Sequence, residues 1–360
     1  MRTLAGPVPF SLPMRGIARP ITLTVLPALL LMMILLSAGI GAMGIAPGQV
    51  LAILGDQIGI SLPWTYDDGQ ANVLLAVRLP RVCLGILIGG GLAASGAAMQ
   101  GLFRNPLADP GLIGVSSGAA LGAVSMIVLG GAVGHSLPSI LQMYLPSAAA
   151  FLGSLVVTIA VYRLASFAAR GNVAVMLLIG IAMNAMTGAL TGLMTFIATD
   201  AQLRSITFWS LGSLGGGTWE AVGAVTPCIL VLLLPRYAAS LNALTLGEET
   251  AGHVGIDVDR IKRVLVILTS LAVGSSVAVA GVIGFIPLVA PHLLRLLIGP
   301  DHRYLLGGSA LLGAIILLGA DLIARTLVAP TELPIGIVTA AIGAPFFLWL
   351  LVRQRGGLGA

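Results

Sequence analysis

Long apolar runs separated by short polar turns make up almost the whole chain after its first 20 residues. An α-helix needs about 20 apolar residues to cross a membrane, and most of these runs approach that length. The pattern therefore predicts an all-α integral membrane protein with about ten transmembrane helices. The predicted spans are 21–44, 82–99, 111–129, 148–165, 173–197, 221–234, 264–283, 286–298, 305–327 and 336–352. Spans six and eight are short, so we expect them to be broken or sheltered by protein.

The chain divides into a short lead and one membrane domain. Residues 1–20 carry arginines and several prolines, a composition typical of a disordered segment, and are predicted to form a cytosolic N-terminal lead. Residues 21–355 are predicted to form a single transmembrane domain that contains a polar cytosolic loop at 241–263.

The span at 82–99 differs from the others in its small residues. They recur every four positions, so a helix here presents a face without bulk against which another backbone can pack closely. The residues on this face are Gly85, Gly89, Ala93, Ala97 and Gly101. We expect this span to be buried among other helices rather than exposed to lipid.

The overall composition agrees with a membrane protein and excludes other classes. Apolar residues make up 58% of the chain, charged residues only 9%, and the mean hydropathy is +1.06, which is too hydrophobic for a soluble domain of this length. The pI is near 9.8, but the basic residues stand singly between apolar spans, so nucleic acid is not a predicted partner. The two cysteines lie inside spans and the four histidines are widely separated, so no metal site is predicted.

The lysines and arginines indicate the topology. If both termini are cytosolic, most basic residues lie on the inner side, as the positive-inside rule requires. Only four arginines then lie on the outer side, namely Arg78, Arg81, Arg204 and Arg325. A single outer arginine can extend its side chain to the membrane interface, but three near one mouth of the bundle can also receive carboxylates from an acidic partner.

The loop at 241–263 has the signals of a short helix. Thr245 and Glu248 have the spacing of a capping box, Gly252 and Gly255 can end the helix, and Asp257 can cap the next one. The loop is either an ordinary solvated connector or a surface element for a partner.

The fifth predicted span has glycine and asparagine at intervals of four. Gly180, Asn184, Gly188 and Gly192 share one smooth helical face, beside which Met183 and Thr187 lie. Such a face is either a packing strip or the wall of a path for a bulky cargo.

No catalytic site is predicted in this chain. A phosphate-binding loop needs Gly-Lys-Ser/Thr, whereas the sole lysine, Lys262, stands between Ile261 and Arg263. An ion-coupled secondary transporter, the alternative class, would normally place carboxylates at mid-membrane. Only Asp321 lies within a predicted span, four residues before Arg325 and able to pair with it.

Several separated motifs carry a resemblance to a known family. They are RLPR at 78–81, MQGLFRNPLADPGLIGVSSGA from 99, LTLGEETAGHVGI at 244–256 and TELPIGIVTAAIGAPFFLWLL at 331–351. Together they resemble the permease subunit of type II ATP-binding-cassette importers, which import cobalamin, ferric siderophores and haem. The residues after span two and the loop at 244–256 are most similar to haem-importing members.

The resemblance implies a homodimer in the bacterial inner membrane with a cytosolic ATPase dimer, which binds ATP and Mg, and an extracytoplasmic binding protein. It implies haem as cargo, with ferric siderophore and cobalamin as alternatives. The implied coupling residues are Gly247, Glu248, Glu249, Ala251, Gly252 and His253. The implied path residues are Met183, Asn184, Thr187, Gly188 and Gly192. The implied docking residues for the binding protein are Arg78, Arg81 and Arg325.

Overall fold

The computed structural model describes residues 18–134, 139–169 and 173–355. The described residues form helices and connecting turns without a strand, which confirms the all-α prediction. Most of the predicted N-terminal lead lies outside the described residues, and its last three positions already belong to the first helix. The helices are α1 Ala18–Gly39, α2 Pro47–Asp56, α3 Asp68–Leu102, α4 Val115–Gly134, α5 Ser139–Ala169, α6 Val173–Phe196, α7 Asp200–Leu211, α8 Trp219–Leu244, α9 Glu248–His253, α10 Val258–Ala280, α11 Ile286–Ile298, α12 His302–Thr326 and α13 Ile335–Arg355.

Seven of these helices are long and apolar enough to cross a membrane. Three shorter apolar segments accompany them, at Val115–Gly130, Ile286–Ile298 and Ile335–Trp349. The described residues thus contain seven long apolar helices and three shorter apolar segments, whereas the sequence predicts ten spans.

The helix α3 begins much earlier than the predicted start at 82. Asp67 accepts a hydrogen bond from the backbone N–H of Gln70 at 2.6 Å, and the Gln70 side chain accepts one from the backbone N–H of Asp67 at 3.2 Å. This capping box starts the helix outside the apolar run, where hydropathy has no signal. Arg78 and Arg81 therefore lie within α3 rather than before it.

Two predicted short spans have different outcomes. The span predicted at 221–234 is part of α8, which covers 26 residues because a 3₁₀ segment at Thr226–Tyr237 continues between two α-helical ends. The span at 286–298 is as short as predicted, and α11 packs between α3 and α12.

The centre of the bundle is α3, which packs against α8, α10, α11 and α12. A Cβ atom on Gly89 would lie 2.5 Å from the carbonyl oxygen of Gly313 in α12, and one on Gly96 would lie 2.0 Å from that of Pro287 in α11. Only glycine permits backbones to approach this closely. The prediction of a buried, small-residue helix at 82–99 is confirmed.

The two ends of the bundle carry different groups. At one end, Asn242 of α8 donates to the Asp301 carboxylate before α12 at 2.7 Å, so the loop at 241–263 lies beside the start of α12. At the opposite end, Arg325 near the end of α12 donates to the Ser37 carbonyl of α1 at 2.6 Å. The first is named the coupling-loop end and the second the arginine end.

Candidate functional site

Two carboxylates hold Arg81 at the arginine end. Its Nε donates to Asp321 Oδ1 at 2.9 Å, and its two Nη atoms donate to the two carboxylate oxygens of Glu332 at 2.8 and 2.9 Å. Asp321 is 1% exposed, whereas the side chain of Glu332, in the turn between α12 and α13, is 42% exposed. The hydrogen bonds from Arg81 lower the pKa of the Glu332 carboxyl from its ordinary value, so the pair remains charged at neutral pH.

The other two arginines cap the end of α1. Arg78 donates to the carbonyl oxygens of Ala38 and Gly39 at 2.6 and 2.8 Å, and also to that of Met43. These carbonyls lie at and beyond the last turn of α1, where backbone acceptors have no partner within the helix. A positive charge at a helix C-terminus is also favoured by the helix dipole.

Arg325, like Arg78, donates hydrogen bonds to the C-terminal end of α1. Its Nη2 donates to the carbonyl and to the hydroxyl oxygen of Ser37, at 2.6 and 2.9 Å, and its Nε lies 3.5 Å from Asp321 Oδ2. The pairing of Asp321 with Arg325 that their spacing predicts is therefore present, although Asp321 lies closer to Arg81.

The three predicted docking arginines thus lie at one end of the bundle, but with internal partners. Arg78 and Arg81 are buried, and each of the three donates to a group of this chain. Their docking role stays a prediction. Sequence reasoning missed Glu332, although the TELP motif places this carboxylate between the last two spans.

The coupling segment forms the short helix α9. Its N-cap is Gly247, with φ of +115°, and no side chain caps it. The Thr245 hydroxyl instead donates to the Asn242 carbonyl at 2.6 Å, so the predicted capping box with Glu248 is wrong. The positive φ at Gly247 turns the chain between Thr245 and α9, and few residues other than glycine adopt a positive φ without strain. Asp257 caps α10 as predicted, accepting from the Arg260 N–H at 3.0 Å.

The side chains of α9 divide into an inner and an outer set. Ala251 is fully buried, and Glu248 forms an ion pair with Lys262 of α10 at 2.6 Å, so these two attach α9 to its own chain. Glu249, Gly252 and His253 are exposed.

Two apolar side chains flank the exposed face of α9. Leu246 is 72% exposed and Val254 is 68% exposed. Sequence reasoning missed them, although a lone apolar residue on each side of a short polar helix was a usable signal. Together with Glu249, Gly252 and His253 they form the exposed side of α9, which is named the coupling surface after its predicted role.

The predicted face of α6 splits into a packed and an open part. A Cβ atom on Gly180 would lie 1.9 Å from the Leu112 carbonyl oxygen, so this glycine is a packing residue. Asn184 accepts from the Ser117 hydroxyl of α4 at 2.5 Å and donates to the Gly111 carbonyl at 3.1 Å.

The remaining path residues follow the same division. Thr187 is buried and donates to the Met183 carbonyl, whereas Met183 is half-buried. Apart from the adjoining residues and the nearby backbone of α6, no atom of the described residues lies within 4 Å of a Cβ built on Gly188 or Gly192. Among the predicted path residues, these two glycines are therefore the ones that face open space.

The candidate metal-ligating side chains of the described residues are not clustered. No group of three His, Cys, Asp or Glu side chains is placed to hold a metal ion there.

A helical bundle with many apolar spans and a small tethered helix at one end has the architecture of a transporter permease. Residues 29–353 match the FecCD transport family, and the chain belongs to this family. Members are permease subunits of ATP-binding-cassette importers, and a separate subunit hydrolyses ATP. The family implies ATPase and binding-protein partners and a dimeric arrangement.

Relatives with different printed cargoes are similar to this chain. The hemin transport system permease protein HmuU of Yersinia pestis is 49% identical over 294 residues, which cover 80% of this chain and 86% of that protein. The cobalamin import system permease protein BtuC of Halobacterium salinarum is 44% identical over 281 residues, 78% of this chain and 73% of that protein. The vitamin B12 import system permease protein BtuC of Klebsiella pneumoniae is 39% identical over 330 residues, 91% and 92% of the two chains.

A solved structure has the same fold. It is an inward-facing conformation assigned to a metal-chelate type ABC transporter, with a TM-score of 0.79 and 31% identity, covering 93% of this chain and 99% of that one.

The two carboxylates on Arg81 are expected to differ in their effect on stability. Asp321→Asn removes a buried charge that faces two arginines and should cost about 3 kcal/mol or more. Glu332→Gln changes a half-exposed partner and should cost about 1 kcal/mol or less. Thermal unfolding of the two purified variants in detergent measures the difference, and equal losses would contradict this reading of the network.

Proposed function

We propose that this chain is the membrane-spanning subunit of an ATP-driven importer that moves haem from an extracytoplasmic binding protein into the cytosol. The observation that supports haem is the 49% identity to a hemin permease. Cobalamin permeases at 44% and 39% identity favour cobalamin as the second candidate. Ferric siderophores remain an alternative cargo within the same function.

The coupling-loop end is proposed to face the cytosol, with both termini on that side. The basic residues support this orientation, since most of them lie at that end when the helices are followed in order. The arginine end then faces the binding protein.

The coupling surface is proposed to contact the ATPase subunit. Leu246 and Val254 can enter an apolar groove, while Ala251 and the Glu248–Lys262 pair hold α9 against α10. Because α10 packs directly on α3, a displacement of α9 reaches the centre of the bundle through one intermediate helix. ATP and Mg belong to the partner in this proposal.

Import should fail when the coupling surface is blocked. Gly252→Trp adds a bulky ring on the outer side of α9, where no described atom lies within 4 Å of the added Cβ, so the permease should fold normally. In proteoliposomes with the ATPase and the binding protein, we expect haem uptake to fall by about tenfold or more, while ATP hydrolysis persists. The matched control is Gly223→Trp, another open glycine, at the opposite end of α8.

The same vesicles test the cargo. Wild-type complexes should take up haem faster than cobalamin or a ferric siderophore at equal concentration. Normal uptake by Gly252→Trp would contradict the coupling surface, whereas uptake of cobalamin alone would contradict only the cargo.

The cargo path is proposed to run along the open part of α6, between two copies of the chain. Gly188 and Gly192 support this, since they leave the helix surface bare where the rest of its face packs on α4. In this proposal Met183, Asn184 and Thr187 hold α6 in position by their contacts within the chain, and the cargo contacts the helix mainly at Gly188 and Gly192.

A bulky side chain on this bare surface should block uptake. Gly188→Phe should abolish haem import and leave the dimer intact, because the ring enters space that no described atom occupies. Leu190→Phe, on the other side of α6, is the control and should import normally. Size-exclusion chromatography with light scattering checks assembly, and loss of the dimer would favour a packing strip.

Docking of the binding protein is proposed to occur by exchange of carboxylates on Arg81. The half-exposed Glu332 already shows the geometry that an incoming carboxylate needs, with two parallel N–H donors. A partner carboxylate would displace Glu332, while the buried Asp321 keeps its contact. Arg78 and Arg325 then support the site by holding α1 in place.

Removing the internal competitor should strengthen docking. Glu332→Gln deletes the negative charge beside Arg81 and is expected to raise the affinity for the binding protein roughly fivefold, about 1 kcal/mol, at low salt. Glu220→Gln, an exposed carboxylate at the same end, is the control of equal charge change. Surface plasmon resonance with immobilised complex measures both, and unchanged affinity in Glu332→Gln would rule out the exchange.

A further inference from the structure

An apolar groove of about 510 Å³ lies between α1, α3, α8 and α12. Its walls carry almost no polar groups along most of their length. The residues that define it are Leu30, Ile86, Leu232, Gly307, Leu311 and Ala314. The groove lies apart from α6, which packs against α4 and α5, so it does not belong to the proposed path.

The groove opens sideways rather than into a path through the bundle. Leu23 of α1 and Ile229 and Leu232 of α8 line it and are exposed on the outside of the chain. These helices are long enough to cross the membrane, so the opening faces the bilayer. An apolar groove that opens into a bilayer takes hydrocarbon as its occupant.

The groove has the length of one leaflet. Along α12 its lining runs from Arg303 to Ala314, which at 1.5 Å per residue is about 17 Å. The hydrocarbon core of a bilayer is about 30 Å thick, so the groove covers about half of it. That half begins at the coupling-loop end, where α12 starts.

The end of the groove at the start of α12 is basic. Arg303 lines it and is exposed, and no described residue pairs with its guanidinium. Two further exposed arginines lie about one turn beyond the lining, Arg19 before Thr22 in α1 and Arg236 after Leu232 in α8. The nearby Asp301 accepts from Asn242 and from the backbone N–H of Arg303. Arginines outnumber carboxylates here, so an anionic head group is favoured.

We propose that this groove binds one anionic phospholipid of the cytosolic leaflet, with an acyl chain along α12 and the phosphate at Arg303. The proposal uses the orientation proposed above but neither the cargo nor the ATPase. Since α8 leads into the coupling segment, a lipid that bridges α8 and α12 would hold the helix that precedes α9 against α12.

Native mass spectrometry of the full-length protein tests the head-group contact. The protein is released from nanodiscs that contain phosphatidylglycerol and phosphatidylcholine in equal parts. The wild type should retain one phosphatidylglycerol per chain. Arg303→Gln should reduce this retention roughly fivefold, the change that follows from losing about 1 kcal/mol per basic residue near the surface. The control is Arg163→Gln, an exposed arginine on α5 outside the groove.

A second variant tests the acyl-chain site. No described atom lies within 4 Å of a Cβ on Gly307, so Gly307→Phe fills the groove without disturbing the helices. Gly319→Phe, on the same helix beyond the groove, is the control, since a Cβ there approaches only the terminal methyl group of Met33. Gly307→Phe should lose the retained lipid, and Gly319→Phe should keep it.

Photo-crosslinking identifies the bound position directly. Phosphatidylglycerol with a diazirine in its acyl chain should label residues of α12 between Tyr304 and Ala314. Labelling elsewhere, or equal retention in Arg303→Gln and the wild type, would overturn the proposal. Equal retention of phosphatidylcholine and phosphatidylglycerol would show an adventitious lipid only and would overturn it as well.

Discussion

The pairing of Arg81 with Asp321 joins the two helices on which the rest of the bundle is built. A charge inside a membrane protein must be paired, since an unpartnered one is expensive in a low-dielectric environment. Arg81 of α3 and Asp321 of α12 meet this constraint at 2.8 Å, and α3 and α12 make the most extensive helix contact among the described residues. Arg325 links the same carboxylate to α1, so one buried acid orients three helices.

The glycines make the same pair of helices rigid. At Gly89 and Gly313 the backbones of α3 and α12 are in direct contact, and no side chain lies between them that could change its rotamer. A rigid α3 matters because α10 packs on it and α9 is attached to α10 through Glu248 and Lys262. In the coupling proposed above, a displacement of α9 would therefore reach the centre of the bundle without being absorbed by loose packing.

Local patterns in the sequence predicted the fold well. Hydropathy and small-residue spacing predicted the helical class and the burial of 82–99, since both depend on neighbours along one helix. The start of α3 was missed because a capping box at Asp67 is polar and lies outside the apolar run. The turn at Gly247 was missed because a positive φ leaves no mark in the sequence other than the glycine itself.

Pairings between distant residues could not be predicted in the same way. Arg81 and Glu332 are 251 positions apart, and nothing in either motif indicates that they meet. The face of α6 shows the same limit: four residues share a spacing, yet Gly180 packs tightly while Gly188 faces open space. Spacing defines which residues share a face, but only the neighbouring helices decide whether that face is covered.

The three arginines of the arginine end all contribute to the fold through contacts within the chain. Arg78, Arg81 and Arg325 face Asp321 and Glu332, so the cluster keeps an excess of positive charge after its internal pairs have formed. Arg78 is held by backbone carbonyl oxygens, which bear no charge to neutralise it. This excess is local, because the carboxylates of Asp56, Asp67, Asp68 and Glu220 lie at the same end of the bundle. In the docking proposed above, a partner carboxylate would be attracted by this local charge before contact, and until then each arginine keeps a partner within the chain.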